Sequence, residues 1–292
     1  MSSGETAHDA TDGDAETAPA RSWDPAGIGR WQKPVKAVLR PIFDRLWHFD
    51  VSGLENVPSD GPAVLCPNHI AAIDSFFLPA VLSRGITYVG KAEYLDDWKT
   101  RRLFPALGMI PIDRRGGDHA ASALDAARAV LEAGQLFGIY PEGTRSRSGK
   151  LHKGHTGAAR LAIETGAPII PVGLVGTAEV QPPGQSKPNF FRDVTIRIGE
   201  PVDVTRYAAR IGDRAVYRQL IDEVMFEVQA LCGQEYSNTY AGSGEAEPAE
   251  HTPERERPID LRSLPGGADD GPTVPRRSSS DVLRARPLAE AG

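Results

Sequence analysis

The stretch PAVLCPNHIAAIDSFFLPAVL, residues 62–82, consists of a short apolar run, a polar turn and a second apolar run. The first run, Pro62–Cys66, contains no charge and is bounded by prolines, which predicts a short buried strand. The second run, Ser75–Leu82, predicts a helix. His69 and Asp74 lie between the two, so the stretch predicts a strand that leads through a polar loop into a helix.

The same alternation continues along the chain on both sides of this stretch. Short apolar runs are separated by longer segments whose apolar residues recur every three to four positions. This order predicts a single α/β domain with a mixed, largely parallel sheet flanked by helices. The predicted strands are Pro62–Cys66, Ile86–Gly90, Gln135–Tyr140, Ile169–Val175 and Val194–Ile198. The predicted helices are Ser75–Leu82, His119–Glu132, Thr156–Glu164 and Thr205–Leu231.

Composition divides the 292 residues into three parts. Residues 1–22 carry a net charge of -4 and residues 237–292 a net charge of -3, and both lack hydrophobic periodicity. We therefore predict that both are disordered tails. Residues 23–236 carry +1, although the whole chain carries -6. The acidity belongs to the tails, so the predicted domain does not repel an anionic partner.

Within the predicted domain we expect three regions. Residues 23–50 form an amphipathic helical segment, residues 51–201 a core that carries the motifs, and residues 202–236 a C-terminal helix. No apolar run approaches the roughly 18 residues of a membrane-spanning helix, and the N-terminus lacks the pattern of a signal peptide. The two cysteines have no metal or disulfide spacing. We expect no metal, no cofactor and no nucleic-acid partner.

The segment Trp31–Leu46 has apolar residues on one helical face and cations on the other, and carries +4 when Arg30 is included. This pattern is typical of a helix that lies in a membrane interface, and also of a helix packed on its own domain. Because Pro41 lies in its interior, we expect two short helices or one bent helix. We expect residues 30–47 to contact a membrane surface. The apolar positions are Trp31, Val35, Val38, Leu39, Ile42, Phe43 and Leu46.

His69 and Asp74 are candidates for proton transfer. A histidine that takes a proton from an alcohol works best with a carboxylate on its other ring nitrogen. On a regular helix five residues correspond to about 500°, which would separate the two side chains. Contact therefore requires His69 on the loop and Asp74 near the start of the next helix. The alternative is that Asp74 only caps that helix and His69 is a polar loop residue.

Two further segments carry cations. Gly108–Arg115 is a short apolar strand that runs into two arginines, and guanidinium groups suit phosphate. Residues 140–150, YPEGTRSRSGK, follow a predicted strand, but five residues separate Gly143 from Gly149 and Leu151 follows Lys150, so this is not a phosphate-binding P-loop. Such a turn suits an anionic, hydroxyl-bearing ligand, or is an ordinary solvated loop.

Four blocks in order resemble those of the glycerolipid acyltransferase family, especially its 1-acylglycerol-3-phosphate (lysophosphatidate) acyltransferases. The resemblance covers residues 51–201 and leaves out both tails. Pro111, in the second block, stands where many members have Phe or Val. The blocks are NHxxxxD at residues 68–74, GxxPIDR at 108–114, YPEGTRS at 140–146 and IIPVGL at 169–174.

The resemblance implies a role for each matching residue. His69 would be the general base, Asp74 its orienting partner, and Arg114 the ligand of the acceptor phosphate. Pro171 would lie near the acyl chain or the oxyanion. The remaining predicted substrate-binding residues are Asn68, Glu142, Gly143, Thr144 and Arg145.

The implied activity is transfer of a fatty acyl group from acyl-CoA, or from acyl carrier protein, to the free hydroxyl of 1-acyl-sn-glycerol 3-phosphate, making phosphatidate. Because no membrane span is predicted, we expect such an enzyme to be held peripherally at the cytoplasmic face of the cell membrane. The excess of arginine over lysine, 26 against 7, indicates a bacterial source by composition alone. One alternative keeps this chemistry and uses another lysophospholipid or a lipid-linked sugar as acceptor. A second alternative is an inactive lipid-binding protein.

Overall fold

Strands and helices alternate along the chain in a computed structural model, which describes residues 31–91, 108–112 and 119–242. The strands are β1 (His48–Ser52), β2 (Ala63–Pro67), β3 (Ile86–Lys91), β4 (Met109–Ile112), β5 (Leu136–Gly138), β6 (Leu151–His152), β7 (Ile169–Val175), β8 (Asp193–Ile198) and β9 (Tyr236–Ser237). The helices are α1 (Gln32–Leu46), α2 (Asp74–Val81), α3 (His119–Glu132), α4 (Gly157–Thr165), α5 (Thr177–Val180) and α6 (Arg214–Cys232). Two 3₁₀ turns lie at Leu54–Asn56 and Thr205–Arg210.

Seven strands form one sheet in the order β1-β8-β7-β2-β5-β3-β4. Every neighbouring pair is parallel except β7 and β8, which confirms the predicted mixed, largely parallel sheet. Leu65 of β2 lies opposite Ile170 of β7 and Gly138 of β5. Strand β2 is therefore central, and it is buried along its whole length because helices cover both faces.

The two faces of β2 enter different halves of the core. Val64 and Cys66 pack with the apolar faces of α3, α4 and α6. Leu65 points the opposite way, into a cluster that includes Phe77 of α2 and Trp47, which follows α1. This division follows from the two-residue period of a strand. It holds the central strand rigidly between two helical layers.

The carboxyl ends of β2 and β5 lie side by side at one edge of the sheet. The two strands are adjacent and parallel, so the loops that follow them leave the sheet at the same edge. The loop after β2 carries His69, and the loop after β5 carries Glu142. Two of the predicted motif blocks are therefore brought together by sheet topology.

Helix α1 runs without interruption through Pro41, so the expected division into two short helices does not occur. Pro41 is exposed, and so is Ala37, whose carbonyl would have accepted the missing N–H. Water can hydrogen-bond that carbonyl, which lowers the cost of the proline. The opposite side of α1 packs on the domain, where the Phe43 and Phe77 rings meet edge to face at 5.9 Å.

The predicted helix Thr205–Leu231 is two elements. A 3₁₀ turn ends at Arg210, and α6 begins at Arg214 after Gly212, whose φ is +91°. The Asp213 side chain accepts the N–H of Ala215 at 2.9 Å and so caps α6. The cap satisfies a helix-end donor and makes Arg214 the natural start of the helix.

The domain continues past residue 236, where its predicted end lay. Ser237 pairs with His152 in a second, two-stranded sheet of β6 and β9, and the structure describes the chain up to Gly242. The predicted tail 1–22 and residues 243–292 of the second predicted tail lie outside the described residues. None of the described helices is long and apolar enough to cross a membrane.

Candidate active site

His69 and Asp74 form a hydrogen-bonded pair at the carboxyl edge of β2. His69 follows the strand, Asp74 is the first residue of α2, and Nδ1 of His69 lies 2.9 Å from Oδ2 of Asp74. The predicted contact through a turn is confirmed. The Asp74 side chain is fully buried and the His69 side chain is 14% exposed. Nε2 of His69 has no hydrogen-bond partner within the described ranges, so this nitrogen is not occupied by another protein group.

The Asp74 carboxylate also holds the loop that carries His69. Oδ2 accepts the backbone N–H groups of Ile70 at 2.8 Å and Ala71 at 2.9 Å. One oxygen therefore orients the imidazole and closes the turn between strand and helix. This arrangement combines the two interpretations of Asp74, since the residue starts α2 and also contacts the histidine.

An aromatic wall supports the imidazole plane. The Tyr140 ring stacks on the His69 ring with centroids 3.8 Å apart and an angle of 17°. Tyr88 stacks behind Tyr140 at 5.8 Å, and the Tyr140 hydroxyl lies 3.2 Å from Oγ of Ser75. Burial, and then the charges of Tyr88 and Asp74, raise the pKa of Tyr140 well above its usual value. Tyr140 therefore stays neutral and confines the imidazole without competing for its proton.

Glu142 joins the loop after β5 to the loop after β2. The residue is 1% exposed. Its Oε1 accepts the backbone N–H of His69 and its Oε2 accepts the backbone N–H of His152, both at 2.9 Å. A predicted substrate contact is thus a buried carboxylate that holds the loop of His69. Each of its oxygens makes a charge-assisted hydrogen bond inside the protein.

Gly143 turns the chain directly after Glu142. Its φ is +75°, its N–H donates to the Tyr140 carbonyl at 3.0 Å, and a Cβ there would lie 3.0 Å from the His155 ring. The loop then returns to the dyad, where the Ser146 N–H donates to the His69 carbonyl at 2.8 Å. The glycine is therefore required by the turn and by the close approach of an imidazole.

A cleft of about 550 Å³ opens beside this loop. Thr144, Arg145 and Arg147 line one side of it. The opposite side is formed by Gln181 and residues 183–186, which the sequence analysis did not single out. Oε1 of Gln181 accepts the N–H of Ile73 at 3.0 Å, so this wall is fixed to the loop that precedes Asp74. The cleft is polar, carries positive charge and borders the dyad loop.

Comparison with known proteins agrees with this geometry. The profile of the family described as Acyltransferase matches residues 48–175. A 1-acyl-sn-glycerol-3-phosphate acyltransferase of Borreliella burgdorferi is 32% identical over 127 residues, which are 44% of this chain and 51% of that protein. A chloroplastic enzyme of the same name from Brassica napus is 29% identical over 154 residues, 52% of this chain and 44% of that protein.

The fold is also found in a solved structure. The 1-acyl-sn-glycerophosphate (LPA) acyltransferase of Thermotoga maritima superposes with a TM-score of 0.54 at 26% identity, over 68% of this chain and 79% of that chain. The chain is therefore similar to acyltransferases in the sequence of residues 48–175 and in fold. It spans about half the length of the curated relatives that it matches. The residues that the family profile matches include the dyad and Glu142 but end before Gln181.

Asn68 and Pro171 are two further predicted site residues that are buried. Oδ1 of Asn68 accepts the Leu174 N–H at 2.7 Å, and its Nδ2 donates to the Leu174 carbonyl and to Oε1 of Gln234. Asn68 thus ties β2 to β7 instead of offering its amide to a substrate. Pro171 is buried within β7 beside Gly199, four residues before the end of the strand. Its role near the acyl chain or the oxyanion stays a prediction.

The remaining predicted site residues are exposed on a loop or lie outside the described residues. Gly143, Thr144 and Arg145 are exposed on the loop after β5. Arg114, the predicted phosphate ligand, lies outside the described residues, although β4 ends two residues before it. Because β4 is parallel to β3 and β3 to β5, that strand ends at the same edge as the dyad.

Proposed function

We propose that this protein transfers a fatty acyl group from a thioester donor to the free hydroxyl of 1-acyl-sn-glycerol 3-phosphate, making phosphatidate. The observation that carries the proposal is the His69–Asp74 pair beside a cleft lined by arginines. Acyl-CoA and acyl carrier protein both present the thioester that the reaction needs. The family and the names of the relatives supply the acceptor class.

The proposed reaction has no acyl-enzyme. Nε2 of His69 takes the proton of the acceptor hydroxyl as its oxygen attacks the thioester carbonyl, and Asp74 stabilises the resulting imidazolium. The tetrahedral intermediate then breaks its C–S bond, and the departing sulfur takes the proton from His69. The products are an ester and a free thiol. A thioester is already activated, so positioning and proton transfer account for the proposed chemistry without a redox cofactor.

The acceptor phosphate fits the cationic side of the cleft. Arg145 is exposed there, and a guanidinium can bind phosphate with two parallel hydrogen bonds. Thr144 adds a hydroxyl next to it. By the family motif, Arg114 would contribute a second cation from the end of β4. We therefore propose that the head group binds between these loops with its free hydroxyl toward His69.

An acceptor and donor panel tests the proposal. Purified full-length protein is mixed with liposomes, an acyl-CoA or acyl carrier protein donor, and one acceptor at a time, and thiol release is measured. Lysophosphatidate is expected to give the highest kcat/KM. Higher kcat/KM with another lysophospholipid or a lipid-linked sugar would replace the proposed acceptor. No thiol release with any pair would favour the inactive lipid-binding alternative.

The variant Arg145→Gln is measured in the same panel and compared with the unmodified protein. The variant removes the cation but keeps a polar side chain of similar length. We expect KM for lysophosphatidate to rise about tenfold, because one charge-assisted contact is worth about 1.5–3 kcal/mol, while KM for the acyl donor is unchanged. An unchanged acceptor KM would remove Arg145 from the proposed phosphate site.

We also propose that the domain docks peripherally on an anionic membrane surface at the cytoplasmic face of the cell. Trp31, Val38 and Ile42 of the α1 region are 59%, 64% and 46% exposed. The exposed Phe190 and Phe191 continue this stripe, since the Phe191 N–H donates to the Leu46 carbonyl at the end of α1. These five side chains are called the apolar stripe below.

Charge and backbone conformation support a lipid partner for the apolar stripe. Phe191 is 67% exposed and has a φ of +57°, a conformation that is unfavourable for a bulky residue. The exposed cations Lys33, Arg45 and Arg192 accompany the stripe along the chain. Apolar side chains flanked by cations match the interface of an anionic bilayer.

Phe191→Glu tests the docking surface. Vesicles that contain phosphatidylglycerol are sedimented with the variant, and bound protein is measured. We expect about tenfold weaker partitioning, because burial of one large apolar side chain contributes about 1.5–3 kcal/mol. Phe226→Glu is the control, since Phe226 is equally exposed but lies on α6. Equal losses for both variants would contradict a specific docking surface.

A further inference from the structure

The residues that follow α6 return to the loop that borders the cleft. We call Gln234–Gly242 the C-terminal strap. The Leu151 N–H donates to the Glu235 carbonyl at 2.9 Å, and the Lys153 N–H donates to the Thr239 carbonyl at 3.0 Å. These bonds attach the strap along the edge of β6 that pairs with β9. The strap lies outside residues 48–175, where the family profile matches.

Strand β6 connects the strap, through Glu142, to the loop of His69. The His152 backbone N–H, which belongs to this strand, donates to Oε2 of Glu142. The other oxygen of that carboxylate accepts the backbone N–H of His69. The strap thus supports the strand whose amide holds Glu142, and Glu142 in turn holds the general base of the proposed reaction.

Gln234 makes a second and more direct connection. Its Oε1 accepts a hydrogen bond from Nδ2 of Asn68 at 2.7 Å, and its Nε2 donates to the Gly149 carbonyl at 2.7 Å. Asn68 immediately precedes His69, and Gly149 belongs to the loop that carries Arg145. One side chain therefore bridges the loop of the dyad and the loop of the proposed phosphate site.

The outer part of the strap contacts the loop between β6 and α4. The Tyr240 ring stacks on the His155 ring with centroids 4.5 Å apart and an angle of 14°. The ammonium of Lys153 lies 5.8 Å from the centre of the Tyr240 ring. Both rings are exposed, so these contacts hold the loop more than they build the core. Removing strap contacts is thus expected to affect alignment before it affects folding.

We propose that Gln234 is a positioning residue that aligns the loop of His69 with the loop of Arg145. The proposal rests on the proposed function for its effect on turnover. Gln234 acts through Asn68 on the loop of His69, and through the Gly149 carbonyl on the loop of Arg145. Misplacement of a general base by a fraction of an ångström to an ångström slows a reaction without weakening donor binding.

The kinetic test compares three variants of the full-length chain. For Gln234→Ala we expect kcat about tenfold lower, with KM for the acyl donor unchanged, because both hydrogen bonds are lost. Gln234→Glu keeps the acceptor for Asn68 and loses the donor to Gly149, so an intermediate kcat is expected. Gln219→Ala is the matched control, since Gln219 is exposed on α6. Its kcat should equal that of the unmodified chain.

Amide hydrogen exchange gives a readout that does not depend on activity. In Gln234→Ala the backbone amides of His69 and His152 are expected to exchange about fivefold faster or more, because the loop that positions Glu142 is loosened. Gln219→Ala should leave both rates unchanged. Unchanged exchange of these two amides in Gln234→Ala would overturn the proposal, whatever happens to kcat. If the full-length chain releases no thiol with any acceptor, the function fails but the exchange rates still decide the role of Gln234.

Discussion

Replacing His69 with alanine should reduce thiol release from acyl donor plus lysophosphatidate by about 10²- to 10⁴-fold, the usual contribution of a general base. The imidazole is the group that contacts Asp74, and its Nε2 faces the incoming hydroxyl in the proposed reaction. Without it the acceptor must attack as a neutral alcohol. The measurement is the initial rate of thiol release with saturating lysophosphatidate.

The interpretation of His69→Ala needs evidence that the variant folds and reaches its substrates. Sedimentation with anionic vesicles should be unchanged, because the apolar stripe is separate from the dyad. The variant should stay folded at the assay temperature, because Asp74 keeps the backbone N–H groups of Ile70 and Ala71 when the imidazole is lost, and the melting temperature checks this. Normal turnover in a variant that is folded and bound to vesicles would exclude His69 as the general base.

Replacing Glu142 with glutamine should lower kcat by about 10²-fold and the free energy of unfolding by about 1–3 kcal/mol. Both oxygens of the carboxylate accept backbone N–H groups, from His69 and from His152. An amide keeps one acceptor, so its NH₂ group would face one of those donors. That buried N–H is left without an acceptor, and the turn that holds His69 shifts.

Thermal unfolding and steady-state kinetics together identify the role of Glu142. If it positions the loop, kcat and the melting temperature fall together while KM for the acceptor changes little. If it contacted the acceptor directly, KM would rise and the melting temperature would be unaffected. Glu227→Gln is the control, because Glu227 is exposed on α6. An acceptor KM that rises in a variant of normal stability would contradict the positioning role.

Local pattern in the sequence was enough to predict most of the domain. Ile169–Val175 and His119–Glu132 have the predicted bounds in the structure. Strand β2 and helix α2 each begin within one residue of their predicted first residues. Short charge-free runs indicate buried strands, and helical periodicity indicates a helix with one buried face. These elements could therefore be predicted without knowing which segments pack against them. Strands β6 and β9, of two residues each, have too little pattern to be detected.

The errors occurred where a distant contact or solvent decides the outcome. Pro41 predicted two short helices or one bent helix, and the division does not occur, because the exposed position lets water replace the missing hydrogen bond. The apolar pattern of Thr205–Leu231 predicted one helix, although the chain leaves a 3₁₀ turn before Gly212 and starts a new helix after it. Asp213 is a typical helix-capping residue and could have indicated this start. The end of the domain was placed at residue 236 because β9 makes its bonds with a strand far away in sequence.

The candidate site shows the same division between local signal and tertiary contact. His69 and Asp74 could be suggested as a pair from sequence because only four residues lie between them and a turn can join them. Tyr140 could have been found, since it ends a run whose strand is adjacent to that of His69. The hydrogen bonds of Glu142 to His152, and of Gln234 to Asn68 and Gly149, could not be predicted from any pattern in the sequence.

The sequence by itself determined the α/β layering and the concentration of negative charge at both ends of the chain, and it made His69 and Asp74 candidates for a pair. These properties depend on composition and on spacings shorter than one element. Only the tertiary structure decided that Glu142 and Asn68 face inward and that a strap beyond α6 joins both loops of the site. The physical reason is that a buried hydrogen bond needs a partner at one point in space, and that partner comes from whichever segment the fold brings there.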